Sequence, residues 1–151
     1  MMYHTHLAFG LLFALLALAF INPSNKYLFI AVAVLAALLP DADHENSKIN
    51  SKIPGLRFLS KVFGHRGLLH SIWIPLALWL IIDFGFHSRY GSAVFIGYFS
   101  HLVSDGLTKA GINMVHPLKQ LRIQGFIETG SVLEHLVFFF VSVLCVILVV
   151  G

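Results

Sequence analysis

A chain of 151 residues in which 58% are hydrophobic and only 11% charged is too apolar for an ordinary soluble domain, and its mean hydropathy of +0.84 says the same. The formal charge of +3 does not describe a nucleic-acid-binding surface, because the Lys and Arg residues gather in connecting segments rather than along a groove. A single cysteine, Cys145, excludes an internal disulfide and a thiolate cluster. The metal ligands left are His, Asp and Glu, a set suited to zinc or another borderline divalent ion.

In chain order, the apolar runs are Leu7 to Ile21, Tyr27 to Leu39, Ser71 to Phe86, Ser92 to Leu107 and Ser131 to Val150. The first ends near Ala17-Leu18-Ala19, yet no Lys or Arg precedes it, so it reads as a retained helix rather than a cleaved signal. In hydrocarbon every backbone polar group must be paired within its own segment, so each run is expected to be helical. The expected fold is all-α: one domain over residues 1–151, a multispanning bundle of about five transmembrane helices. Cys145 falls inside the last run, as a packing or lipid-facing residue.

The connections differ in character. Ile53 to Phe63 sets Leu56, Leu59, Val62 and Phe63 against Arg57, Ser60 and Lys61, which suits a short amphipathic helix on the membrane surface, with an ordinary loop as the alternative. Near the other long connection, Leu121 and Ile123 alternate with Gln120, Arg122 and Gln124, a pattern for a short extended stretch or hairpin. Eight basic residues (Lys48, Lys52, Arg57, Lys61, Arg66, Lys109, Lys119 and Arg122) fall on the side of the amino terminus, and two (Lys26 and Arg89) on the other. That asymmetry assigns the amino terminus to the cytoplasm and the carboxy terminus to the outside.

Histidines and carboxylates share the same bias. His4, His6, Asp41, Asp43, His44, His65, His70, His101, Asp105, Glu134 and His135 all fall at the cytoplasmic ends of the runs, against Asp83 and His87 opposite. Ionisable groups at membrane depth are costly unless they pair, bind ions or do chemistry. His101 and Asp105, at i and i+4, share a helix face and can bind one metal or a close pair, or Asp105 can orient a histidine ligand. Pro40 breaks the second run and presents Asp41, Asp43 and His44 within one turn. GHRGLLHS adds His65 and His70, with Gly64 and Gly67 permitting close backbone approach. Arg66 serves as a headgroup anchor or as a stabiliser of phosphoryl charge. His6 is preferred to His4 because it leads directly into the first run. Ser131 is a candidate helix cap, and Glu134 a ligand, a general base or a helix-dipole partner. At about 1.5 Å per residue, Lys26 to Asp41 covers about 22 Å and Arg89 to His101 about 18 Å, so the site is expected slightly inside a hydrocarbon layer of ~30 Å.

The motifs HTHLAFG, LLPDADHE, GHRGLLHS, GYFSHLVSDGLTKAGI and ETGSVLEH resemble, in order and spacing, the YdjM-like family of LexA-regulated inner-membrane proteins described as metal-dependent hydrolases. The resemblance implies a bacterial or archaeal inner-membrane protein with metal ligands at His6, Asp41, His44, His65, His70, His101 and Asp105. The family is also distantly similar to zinc-dependent phospholipase C through its HxxxD element, matched by His101 and Asp105. The expected activity is metal-assisted hydrolysis of a phosphoester in a lipid or lipid-linked substrate at the cytoplasmic face, with one to three zinc-like ions and two favoured. Asp43 or Glu134 would orient or deprotonate water and Arg66 would stabilise developing charge. The rival readings are amide or ester hydrolysis and a metal transporter or sensor; the one-sided ligands argue against a transport path.

Overall fold

The computed structural model describes residues 1–43, 68–86, 88–118 and 121–150. Among them, helices occupy every apolar run: α1 (Tyr3–Ala17), α2 (Lys26–Ala36), α3 (Trp73–Leu80), α4 (Gly91–Gly106) and α5 (Val132–Val150). Two 3-10 turns, Leu39–Asp43 and Leu68–His70, lie between α2 and α3, and a π-helical turn, Ile81–Gly85, extends α3.

The helix lengths overturn the expectation of about five membrane-spanning helices. α1 to α4 contain 15, 11, 8 and 16 residues, a rise of roughly 12 to 24 Å, short of the ~30 Å hydrocarbon layer. Among the described residues, only the 19-residue α5 is long and apolar enough to cross a membrane. The all-α expectation is also corrected, because β1 (Ile112–Asn113) and β2 (Arg122–Ile123) form a small antiparallel sheet. The amphipathic helix expected at Ile53 to Phe63 lies outside the described residues.

Local hydrogen bonding, which hydropathy does not register, sets these lengths. Asn25 caps α2, its Oδ1 accepting from the Tyr27 and Leu28 N–H groups at 3.0 and 3.1 Å. At the far end Pro40, with no N–H to give, sits in the 3-10 turn that follows. Asp83 accepts from Trp79 Nε1 at 2.7 Å and from the Gly91 N–H at 2.8 Å, so a carboxylate among apolar residues closes α3 and opens α4.

α1, α2 and α4 pack mutually through small residues. A Cβ on Gly10 would lie 2.8 Å from the Ala37 Cβ, and one on Gly97 would run into the Ala33 backbone. Such contacts let main chains approach closely where lipid-like surroundings give little hydrophobic drive to association. Ala14, Phe29, Ala33 and Ala93 fill one end of this core, and Tyr98, Leu102 and Ile112 the other. α5 lies along α1, burying only Glu134 and Cys145; Cys145 Sγ is 3.8 Å from the Ala8 carbonyl oxygen.

The hairpin is stitched to the end of α4. Ile112 faces Ile123 and Asn113 faces Arg122. Gly111 enters β1 at φ +63, where a Cβ would meet the Ile123 oxygen at 2.6 Å, so glycine alone fits both the angle and the space. The Ile127 N–H donates to the Leu107 carbonyl at 3.1 Å, and the Lys109 N–H to the Ile127 carbonyl at 2.8 Å. Lys109 also bonds Glu128 at 2.9 Å, which holds that carboxyl below the usual carboxylate range.

Candidate metal centre

Four separate elements deliver one polar cluster. α1 brings His6, the 3-10 turn after α2 brings Asp41, the turn before α3 brings His70, and α4 brings His101 and Asp105. His6 and His101 are fully buried, His70 and Asp105 nearly so, while the Asp41 side chain keeps 31% of its surface exposed. Asp41 therefore forms the open edge of an otherwise enclosed site.

The spacings are those of groups that face one another without bonding directly. His6 Nε2 lies 3.6 Å from Asp41 Oδ2 and 3.5 Å from Asp105 Oδ1. His101 Nε2 is 3.8 Å from Asp41 Oδ1 and 3.6 Å from Asp105 Oδ2, and His70 Nε2 is 3.9 Å from each of the same two oxygens. Ligands about 2.0–2.2 Å from a tetrahedral zinc sit roughly 3.3–3.6 Å apart, close to these values. Two overlapping triads, His6 with Asp41 and His101, and His70 with His101 and Asp105, bring their ligand atoms within 4.8 Å of one another.

Hydrogen bonds on the outer side of the rings fix which nitrogen faces the cluster. The His101 Nδ1 lies 2.8 Å from the Ala37 carbonyl, which can only accept, so Nδ1 carries the proton. The His6 Nδ1 lies 2.8 Å from Ser104 Oγ, whose own hydroxyl donates to the His101 carbonyl at 2.9 Å. Ser104 is thereby left to accept from His6 Nδ1–H. The two rings, stacked with centroids 3.8 Å apart, each turn Nε2 inward, and neither Nε2 has a hydrogen-bond partner. Buried polar atoms are normally satisfied. Two orphaned Nε2 atoms beside two carboxylates fit a divalent cation in both charge and donor type. The Met1 nitrogen lies 2.5 Å from Asp105 Oδ1.

The structure thus brings together five of the sequence-derived residues: His6, Asp41, His70, His101 and Asp105. His44, His65 and Arg66 lie outside the described residues, and Asp43 ends its 3-10 turn with its side chain likewise outside them. Glu134 accepts from the Met2 N–H at 2.6 Å and the Gly130 N–H at 2.7 Å, tying the start of α1 to the start of α5. Ser131 Oγ accepts from the Glu134 N–H at 3.3 Å, as its position before the helix suggests. His4 packs edge-on against Phe138, and His135 Nδ1 bonds the Ser131 carbonyl.

Two contributors escaped the sequence reading. Ser104 lies at i+3 from His101 on the face that carries Asp105, the one signal that could have marked it. Tyr98, one turn before His101, donates from its hydroxyl to the Leu69 carbonyl at 2.5 Å, fixing the backbone beside His70. A separate apolar groove of about 570 Å³, lined by Leu7, Leu11, Val34, Phe138, Val146 and Val149 among others, involves none of the five cluster residues.

A model of the family described as YdjM inner membrane protein matches residues 1–150. YvsG of Bacillus subtilis is 36% identical over 124 residues, covering 80% of this chain and 78% of that protein. The inner membrane protein YdjM of Escherichia coli is 32% identical over 94 residues, 58% of this chain and 48% of that protein, and the Shigella flexneri protein of the same name matches equally. No solved structure matches.

Proposed function

Since the chain belongs to the YdjM family of inner membrane proteins, we propose that its His/Asp cluster makes it a membrane-bound, metal-dependent hydrolase of a lipid or lipid-linked phosphoester at the cytoplasmic face. The observation that carries this reading is the pair of inward, partnerless Nε2 atoms of His6 and His101 set against Asp41 and Asp105. His6, His70, His101, Asp41 and Asp105 would hold the ion, with imidazole and carboxylate favouring zinc or a similar metal. A cation held there supplies Lewis acidity toward a phosphoryl oxygen and lowers the pKa of water.

The residues divide the remaining work. Ser104 and the Ala37 carbonyl hold the Nδ1 side of two imidazoles and so aim their Nε2 atoms at the cluster. The exposed edge at Asp41 admits substrate, while the buried walls exclude bulk water. Asp43 orients and deprotonates the attacking water, whose oxygen joins phosphorus as the ester P–O bond breaks and a proton passes to the leaving oxygen, while Glu134, with both oxygens taken by backbone N–H groups, holds the starts of α1 and α5 together. Arg66 stabilises charge on the phosphoryl oxygens. The cytoplasmic assignment rests on the excess of Lys and Arg in the segments on the cluster's side.

The test is elemental analysis of purified protein together with release of phosphorylated headgroups from a mixed-lipid panel. Bound zinc and turnover, both lost in His101→Ala, are expected. Protein that holds no metal and turns over nothing in the panel would refute the proposal.

A further inference from the structure

The hairpin that follows Asp105 has an unusual surface. Leu118 is 75% exposed and Phe126 72%, with Leu121 and Ile123 also exposed, in a hairpin whose buried side is already satisfied by Ile112 on Tyr98 and Leu102. From Leu107 to Glu128 the sequence holds three basic residues, Lys109, Lys119 and Arg122, and one acidic residue, Glu128. Glu128 is taken by Lys109, whereas Arg122 has no carboxylate partner among the described residues and spends one N–H on the Ala110 carbonyl at 3.0 Å.

Its position is fixed by its neighbours. Ile127 pairs with Leu107 and Thr108 at the hairpin's base, and α5, the helix able to cross a membrane, begins at Val132. The hairpin is therefore held at the end where α5 enters the bilayer. Exposed aliphatic and aromatic side chains beside uncompensated positive charge complement a surface that is apolar beneath and anionic at its headgroups. We propose that the β1–β2 hairpin is an interfacial anchor that sets its apolar residues into an anionic lipid surface. The Arg122 side chain lies among the phosphates, and the His/Asp cluster at the hairpin's root is held at headgroup level. The assignment stands on the family's membrane location and not on the hydrolase reading.

The experiment uses the full chain in lipid nanodiscs, in a Cys145→Ala background, with a spin label at Leu118→Cys and a second, separate label at Phe140→Cys on α5. Power saturation compares access to oxygen, which concentrates in lipid, with access to a nickel chelate confined to water. With phosphatidylglycerol present, the Leu118 label is expected to favour oxygen. Access to the chelate should rise when the anionic lipid is replaced by phosphatidylcholine or when Arg122→Glu is introduced, while the Phe140 label stays in lipid throughout. A Leu118 label equally open to the chelate in both lipids, or shielded from both reagents as in a protein contact, would overturn the proposal.

Discussion

Ser104→Ala tests the inward aim of the site most directly. The substitution removes the acceptor 2.8 Å from His6 Nδ1 at a fully buried position and leaves the rest of α4 unchanged. Neutral His6 then gains by moving its proton to Nε2, where Asp105 Oδ1 and Asp41 Oδ2 wait at 3.5 and 3.6 Å. The nitrogen that should face a cation becomes a donor instead. Leaving a buried N–H unsatisfied costs about 1–3 kcal/mol, and loss of a ligand-orienting partner typically weakens metal binding by about 10–100-fold. The expected change in zinc affinity is thus roughly 1.4–2.7 kcal/mol, read by competition between apo protein and a fluorescent chelator at constant pH. Thermal unfolding of the same sample checks that the variant is folded, and His135→Ala, on an exposed ring, should match the parent. A folded Ser104→Ala protein with parental zinc affinity would show that Ser104 does not set the tautomer, and the acceptor-only account of the cluster would fail.

Two further substitutions probe the scaffold. Gly97→Ala should destabilise the protein by about 1–3 kcal/mol or more, seen as a lower unfolding midpoint in detergent, because the added methyl meets Ala33 backbone rather than a side chain that can turn away. Asp83→Ala removes the acceptor shared by Trp79 Nε1 and the Gly91 N–H and should cost about 1–3 kcal/mol, while zinc affinity, measured as above, stays unchanged. An exposed pair gives the contrasting case: Glu128→Gln should leave the midpoint at neutral pH unaltered. Because Lys109 lowers the folded-state pKa of Glu128, whatever the pair contributes is present above the usual carboxylate range and fades as pH falls through the lowered value.

The sequence made the cluster legible where spacing and geometry coincide. His101 and Asp105 are one helical turn apart, and Pro40 marks where α2 stops and Asp41 turns in. Ser104 was hidden because a serine in an apolar helix ordinarily returns its hydroxyl to a carbonyl one turn back. It does so here too, and only its second bond, to a ring 98 residues away in sequence, gives it a role. The five-span count failed for a related reason. Hydropathy totals residues, whereas a helix ends where its backbone finds other partners: at Asn25, at the 3-10 turn around Pro40, and at the π-helical turn holding Asp83. Asp83 stood with His87 on the far side; Trp79, one turn before it, is a donor that helical spacing could have marked, whereas the Gly91 N–H comes from the start of the next helix.

The close contact of Gly10 with Ala37 reaches further than helix packing. Ala37 presents to α1 the Cβ that would meet a methyl at Gly10, and to α4 the carbonyl that orients His101. Helix spacing and imidazole rotation are thereby geared together. A methyl at Gly10 would act on the ring through displaced main chain, without touching a ligand. For this cluster the distance between two helix axes is itself a coordination parameter, and a residue with no side chain sets it.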